Sequence, residues 1–337
     1  RKIAIVAAVL LLLAAGGLYA LAAFAPMEYV EEKARTAVKE QTGRDLAIGS
    51  TRVVFWPHIG VTLRDVTFSN PDWAEEKSML RLGELDVHVA LRPLLDRRVE
   101  IVRFVMNEPQ INLEISPQGR QSWIFDAPAQ KKSAPKEEAP ARASGADAAA
   151  AFRLNEFEIR KGRLLLNDRK GGGKTLAENI NITVSFPDIE SAFQLDGSLS
   201  YLGKRVQLVM GVDAPKAFID GKPSPGNLVV NTDVVKANVA GKFATSGFLM
   251  QADKIAVDIS SLSGLAAWLT QKPAEKLPFE KVSFGARGTV KDSKADLGDV
   301  SIKLDDIEGK GTLRLGFGGP RPDIYARLTI NKVDLDR

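Results

Sequence analysis

Apolar and polar residues alternate with a period of two along most of this chain. Leu85, Val87, Val89 and Leu91 alternate with Asp86, His88, Ala90 and Arg92, and Ile111, Leu113 and Ile115 alternate with Gln110, Asn112 and Glu114. Farther on, Ile180, Ile182, Val184 and Phe186 alternate with Asn181, Thr183 and Ser185. Phe193, Leu195, Leu199 and Tyr201, then Val300, Ile302 and Leu304, then Ile324, Leu328 and Ile330 repeat the pattern. Strand residues two apart share a face, so each segment predicts a strand that is apolar on one side only. Such strands belong to antiparallel sheets with one wet face. Leu202-Gly203-Lys204 and Gly318-Gly319-Pro320 suit the short turns that hairpins need.

Helical periodicity is scarce. Val30, Ala34, Ala37 and Val38 mark one face of a helix over Glu28–Glu40, with Gly43 just past its end. Pro71–Ser78 and Ser260–Leu269 are the other candidates. So little helix cannot cover the apolar side of about fifteen strands, each one-sided. Two arrangements remain open. The sheet packs on another sheet as a sandwich, or it curls into a trough whose apolar interior meets something else.

The N-terminus changes the setting. Arg1 and Lys2 precede an uncharged run from Ile3 to Ala25, and Glu28, Glu31 and Glu32 follow it. A helix of that length reaches roughly 35 Å, enough to cross a hydrocarbon core of about 30 Å. The charge asymmetry predicts a cytoplasmic N-terminus with the rest of the chain exported. Ala23-Phe24-Ala25 also resembles a signal-peptide cleavage site, but Pro26 disfavours cleavage there, so a retained anchor is expected. Residues 127–151 are mostly Ala, Pro, Lys and Glu without a large hydrophobic residue, which predicts a disordered linker. The expected organisation is an anchor (1–26), a helix and sheet (27–126), the linker (127–151) and a continuing sheet (152–337).

Composition excludes little more. The chain has no cysteine, hence no disulfide or thiolate metal site. A net charge of +4 with no basic block interleaved with aromatics gives no support for nucleic-acid binding. The only two histidines, His58 and His88, are far apart. Gly171-Gly172-Gly173-Lys174-Thr175 resembles the end of a phosphate-binding loop, but Asp168 stands where that loop needs a glycine. Asp305, Asp306 and Glu308 lack the spacing of a calcium loop. Asn181-Ile182-Thr183 fits a glycosylation pattern but falls in mid-strand. No nucleophile elbow or paired-histidine zinc helix is present. Neither catalysis nor a cofactor or metal is expected.

The order of features carries a resemblance. An anchor and short helix are followed by Thr42-Gly43-Arg44, Asn70-Pro71, the pair Leu94-Leu95, Glu108-Pro109, and Gly119 leading to Trp123, then by a polar linker. This order resembles the N-terminal region of the AsmA-like proteins of Gram-negative bacteria. The segment FEIRKGRL and the ending LTINKVDLDR extend the likeness more loosely.

The AsmA-like proteins are similar in design to chorein-type bridge-like lipid transfer proteins. The resemblance implies a mainly β fold, a long curled antiparallel sheet forming a hydrophobic trough, after one transmembrane helix and a short second helix. It implies an inner-membrane protein, single-pass, with its bulk in the periplasm and a role in phospholipid transport and outer-membrane biogenesis. The partners it implies are phospholipid acyl chains and the inner membrane, with outer-membrane components or other periplasmic proteins besides. The trough face would comprise Leu85, Val87, Val89, Leu91, Ile111, Leu113, Ile115, Ile180, Ile182, Val184, Phe193, Leu195, Ile302 and Leu304. Thr42, Gly43, Arg44, Asn70, Pro71, Leu94, Leu95, Pro109, Gly119 and Trp123 would be structural. A scaffold or assembly factor for outer-membrane proteins is the alternative function. About fifteen strands at ~4.8 Å span only ~70 Å, so a segment of a longer conduit is expected.

Overall fold

The computed structural model describes residues 27–54, 59–90, 100–125, 154–245, 249–274, 277–318, 321 and 323–331. The expected anchor (1–26), the expected linker (127–151) and Leu91, Leu94 and Leu95 lie outside the described residues. Among the described residues the protein is mainly β, with seventeen strands in one mixed sheet and few helices. It divides into two compact units, 1–185 and 186–337. Among the described residues no helix is long and apolar enough to cross a membrane.

The first unit opens with helix α1 (Met27–Thr42). Val38 is buried on its inner face, and Thr42 Oγ1 donates to the Val38 carbonyl (2.6 Å) while accepting Arg44 N–H (3.1 Å). Gly43 N–H donates to the Lys39 carbonyl (2.8 Å), and its φ of 69° is the left-handed conformation that closes a helix. No atom lies near the place its Cβ would take, so only backbone strain opposes a side chain. Gly43→Val is therefore expected to lower stability by about 1 kcal/mol, read by urea denaturation. An unchanged midpoint would show that the turn tolerates a branched residue.

Seven strands follow: β1 (Leu46–Ala47), β2 (Ser50–Val54), β3 (Ile59–Ser69), β4 (Ser78–Val89), β5 (Ile101–Asn107), β6 (Gln110–Ile115) and β7 (Leu154–Asp168). β8 (Gly173–Phe186) runs to the unit boundary. β1 and β2 pair with β3, β3 with β4, and β4 with both β5 and β6, all antiparallel. β7 then pairs parallel to β5 and β6. This corrects the expectation of a wholly antiparallel sheet. A parallel neighbour needs a crossover of a dozen residues or more, and the connection from residue 116 to residue 153 has that length.

A second correction concerns Pro71–Ser78, which forms turns and bends instead of a helix. It is a strap held by tertiary bonds. The buried Glu114 carboxylate accepts the N–H groups of Glu76 (2.7 Å) and Glu75 (3.1 Å). Asn70 Nδ2 donates to the carbonyls of Glu76 (2.8 Å) and Asn112 (3.2 Å). These bonds satisfy strap amides that a helix would have satisfied internally.

Left-handed residues form a line across the first unit. Asp65, Glu108, Lys161 and Asn179 have φ of 53°, 55°, 52° and 51°. Arg64↔Glu84 and Val66↔Leu82 set Asp65 opposite Gly83, and Glu84 in turn faces Asn107. Asn107↔Arg160 and Gln110↔Arg163 set Glu108-Pro109 against Lys161-Gly162. Lys161 N–H donates to Asn181 Oδ1 (3.1 Å) on β8. Residue faces residue at these positions, so none is extra; the left-handed backbone kinks the strands there and changes which side chains face inward. The buried residues follow suit: Leu80 and Leu82 give way to Leu85, Val87 and Val89, and Val61 gives way to Val66 and Phe68.

The second unit is a meander of nine strands. They are β9 (Phe193–Tyr201), β10 (Lys204–Val212), β11 (Ser224–Asn231), β12 (Val235–Ala244), β13 (Leu249–Ile259), β14 (Val282–Lys291), β15 (Lys294–Leu304), β16 (Ile307–Gly316) and β17 (Asp323–Ile330). Each pairs antiparallel with the next. Bulges recur on alternate strands, at Asp253-Lys254 in β13 and Gly298-Asp299 in β15. Gly311 of β16 sits so close to the Arg327 carbonyl that a Cβ would clash. Two short helices join strands, α2 (Pro215–Ile219) and α3 (Leu262–Thr270).

Candidate functional site

The two units treat their apolar faces differently. In the first, α1, Trp123 and Phe125 pack with the sheet into a cluster that includes Leu46, Val61, Phe68, Leu80, Leu82 and Phe104. Leu85, Val87 and Val89 belong to it and retain only 2%, 2% and 0% of their accessible surface. Phe104 stacks on Phe157 with ring centroids 5.5 Å apart, and Phe68 meets Phe125 edge-on at 5.9 Å. Ile111 and Leu113 pack partly buried against the same cluster, and Ile115, Ile180, Ile182 and Val184 are half-buried.

In the second unit the registers line apolar residues up across strands. Leu208↔Val230, Val230↔Ala237, Ala237↔Val257, Val257↔Phe284 and Phe284↔Ile302 make one row over six strands. Met210, Leu228, Val239, Ile255 and Ala286 make a second. Val235, Ile259, Val282, Leu304 and Ile307 make a third. Phe193 and Leu195 join this face opposite Val212 and Met210. The face thus gathers the predicted residues Phe193, Leu195, Ile302 and Leu304. Most of these side chains are half-buried, with Leu228 exposed; Ala286, at the bulge, is buried with Ala295, Leu297 and Val300.

The reverse side is polar and matched in charge. Lys236 pairs across strands with Asp258, Asp258 with Ser283, and Ser283 with Lys303. Lys303 Nζ lies 2.8 Å from Glu308 Oε1, which raises the lysine pKa and lowers that of the carboxyl. A depression of about 520 Å³ on this side is lined by Asp296, Thr312, Arg314, Tyr325 and Arg327, with Arg314 3.0 Å from Asp296. Asp305 accepts the N–H groups of Glu280 (3.2 Å) and Lys281 (2.8 Å), and serves as a turn residue.

Helix α3 sits at a rim of the apolar face. Its N-cap Ser261 Oγ accepts Gly264 N–H (2.9 Å). Ser261 and Ser263 hydroxyls donate to Glu280 Oε2 (2.9 and 2.8 Å). The hydroxyls of Ser263 and then Ser261 hold the Glu280 carboxyl below its usual range. This tie is present at neutral pH and is lost as pH falls through the lowered range. At the other end Trp268 Nε1 donates to the Tyr201 carbonyl (2.9 Å), and the two rings meet edge-on at 6.1 Å. Tyr201 alternates in phase with Leu195 and Leu199, on the apolar face.

Those of the predicted structural residues that are described lie in the first unit. Thr42 and Gly43 close α1, and the Arg44 guanidinium lies 6.0 Å from the Phe125 ring. Asn70 and Pro71 open the strap, both buried, and Pro109 is fully buried at the break between β5 and β6. Gly119 turns with φ 82°, its N–H on the Ser116 carbonyl (2.8 Å), and Trp123 packs on the core. Sequence reasoning missed the bulges and the burial of Asn112 and Glu114 beneath the strap. A readable signal existed: Leu297 to Val300, at the β15 bulge, and Leu82 to Leu85, at the kink opposite Asp65, are spacings of three where alternation demands two.

A model of the AsmA family matches residues 1–296 of the chain. No curated protein matches it, and no solved structure matches it.

Proposed function

Because the chain belongs to the AsmA family, we propose that it shelters lipid acyl chains on the apolar face of its second unit, in phospholipid transport serving outer-membrane biogenesis. Family membership points to lipid-related biogenesis of the outer membrane. The observation that carries the finer reading is the set of three cross-strand apolar rows, largely half-buried, backed by a charge-matched polar side. Extended apolar surface of this kind marks an interaction site. Each CH₂ of a lipid tail left in water costs about 0.8 kcal/mol, so two tails need shelter to leave a bilayer. A sheet face supplies that shelter through dispersion and exclusion of water alone. Its polar side meets solvent, and no catalytic group or cofactor enters this reading.

The first unit has a different part in this proposal. Leu85, Val87 and Val89 are closed off, so that unit serves as a rigid base, and lipid contact moves to residues such as Val257 and Phe284. The proposal also keeps the inner-membrane setting, from the asymmetry of Arg1 and Lys2 against Glu28, Glu31 and Glu32. An alkaline phosphatase fusion after Asp126 is expected to be active; an inactive fusion with an active cytoplasmic reporter would reverse that topology.

Photo-crosslinking in cells tests the lipid reading. Probes at Val257 and Phe284 are expected to recover phospholipid, while probes at Ser283 and Lys303 on the other side recover none. If both sides come up empty, the scaffold reading replaces transport.

A further inference from the structure

Residues 260–271, Ser-Ser-Leu-Ser-Gly-Leu-Ala-Ala-Trp-Leu-Thr-Gln, carry no charge. Surface helices of soluble domains normally set a charged face toward water. Helix α3 has none to offer, and its Leu269 is 54% exposed. The helix is nevertheless held in place at both ends, by Glu280 at its N-cap and by Trp268 on the Tyr201 carbonyl. An uncharged helix fixed with a leucine outward presents a built surface. An exposed cation, Lys272, follows directly.

We propose that α3 docks on a lipid bilayer, with Leu269 entering the boundary between headgroups and acyl chains and Lys272 meeting the phosphates. The pattern fits an interfacial element, in which leucine enters the boundary and basic residues stay at headgroup level, while Trp268, buried against Tyr201, anchors the helix to the sheet. A bilayer suits this surface better than a protein partner because a helix without charges offers nothing to fix a partner's register. Continuity points the same way: through Trp268 and Tyr201 the helix adjoins the apolar face. The inference rests on the lipid-sheltering reading and adds to it the place where acyl chains pass between membrane and sheet.

The chain has no cysteine, so Leu269→Cys creates a single labelling site. The full chain carrying an environment-sensitive fluorophore there is reconstituted in phosphatidylethanolamine/phosphatidylglycerol vesicles containing nitroxide-tailed lipid. Quenching by about twofold or more at residue 269, with none for a label at Ser283→Cys, supports docking. If the label at 269 stays unquenched while Val257 and Phe284 still crosslink lipid, α3 docking is wrong and the shelter reading stands. If those crosslinks fail as well, the shelter reading falls with it. Leu269→Asp changes only an exposed side chain, so melting is expected to be unchanged while lipid transfer between vesicles slows by about tenfold. Transfer at the parent rate in that variant would overturn the proposal.

Discussion

Val87→Asp is expected to unfold the first unit, whereas Val257→Asp leaves the second folded. Val87 faces Val61 and Phe104 across β3 and β5, inside the first unit's buried cluster. A carboxylate there is cut off from solvent, and must be buried charged or buried protonated. Either costs on the order of 4 kcal/mol or more, most of the stability of a typical domain. Val257 lies between Ala237 and Phe284 on a face whose side chains keep accessible surface. A carboxylate at that position reaches solvent, so its cost is about 1 kcal/mol, while its charge repels acyl chains. Each unit has its own reporter, since Trp123 packs on the first core and Trp268 on Tyr201 in the second. Urea denaturation followed by fluorescence of single-tryptophan variants reads the two separately. A Val87→Asp protein that keeps the parent midpoint would mean that the first face opens in solution, and would return Leu85, Val87 and Val89 to the lipid path.

Glu114→Ala comes second in expected size. The side chain is 1% exposed, and it accepts two strap amides while lying 3.8 Å from Arg169 Nε. Its own N–H donates to Ser122 Oγ (2.9 Å), so backbone and carboxylate both tie β6 to neighbouring loops. Removal leaves the Glu75 and Glu76 N–H groups without acceptors and takes away one of two carboxylates beside Arg169, which keeps Glu75 at 3.2 Å and the Trp73 carbonyl at 3.0 Å. The expected loss is about 3 kcal/mol, with faster amide exchange across residues 71–77. Glu114→Gln keeps one carbonyl acceptor and is expected to lose about half as much. Unchanged exchange in the strap of Glu114→Ala would show that Asn70, Asn167 and Arg169 hold it without the carboxylate.

The strap shows why part of the fold was not legible in the sequence. Pro71–Ser78 has the composition of a short helix, yet a carboxylate nearly forty residues away captures its amides. Local propensity is worth tenths of a kcal/mol per residue, and buried charge-assisted bonds outweigh it. The parallel placement of β7 was hidden for a related reason, because alternation reports a strand's sidedness and carries no information on its neighbour. Among the described residues seventeen strands stand where about fifteen were expected.

By itself the sequence determined the period-two strands, the end of α1 at Gly43, the helix near Ser260–Leu269 and the family. These depend on local backbone geometry and on side chains two or four positions apart, which a linear pattern records. Only the tertiary structure decided which apolar surface is closed. Leu85, Val87 and Val89 read the same in the sequence as Leu195 and Ile302. They differ because the first group is packed inside the first unit's cluster, beside Val61 and Phe104, while the second keeps part of its surface accessible. Burial is a property of what lies opposite a side chain, and that is set by contacts far apart in the chain.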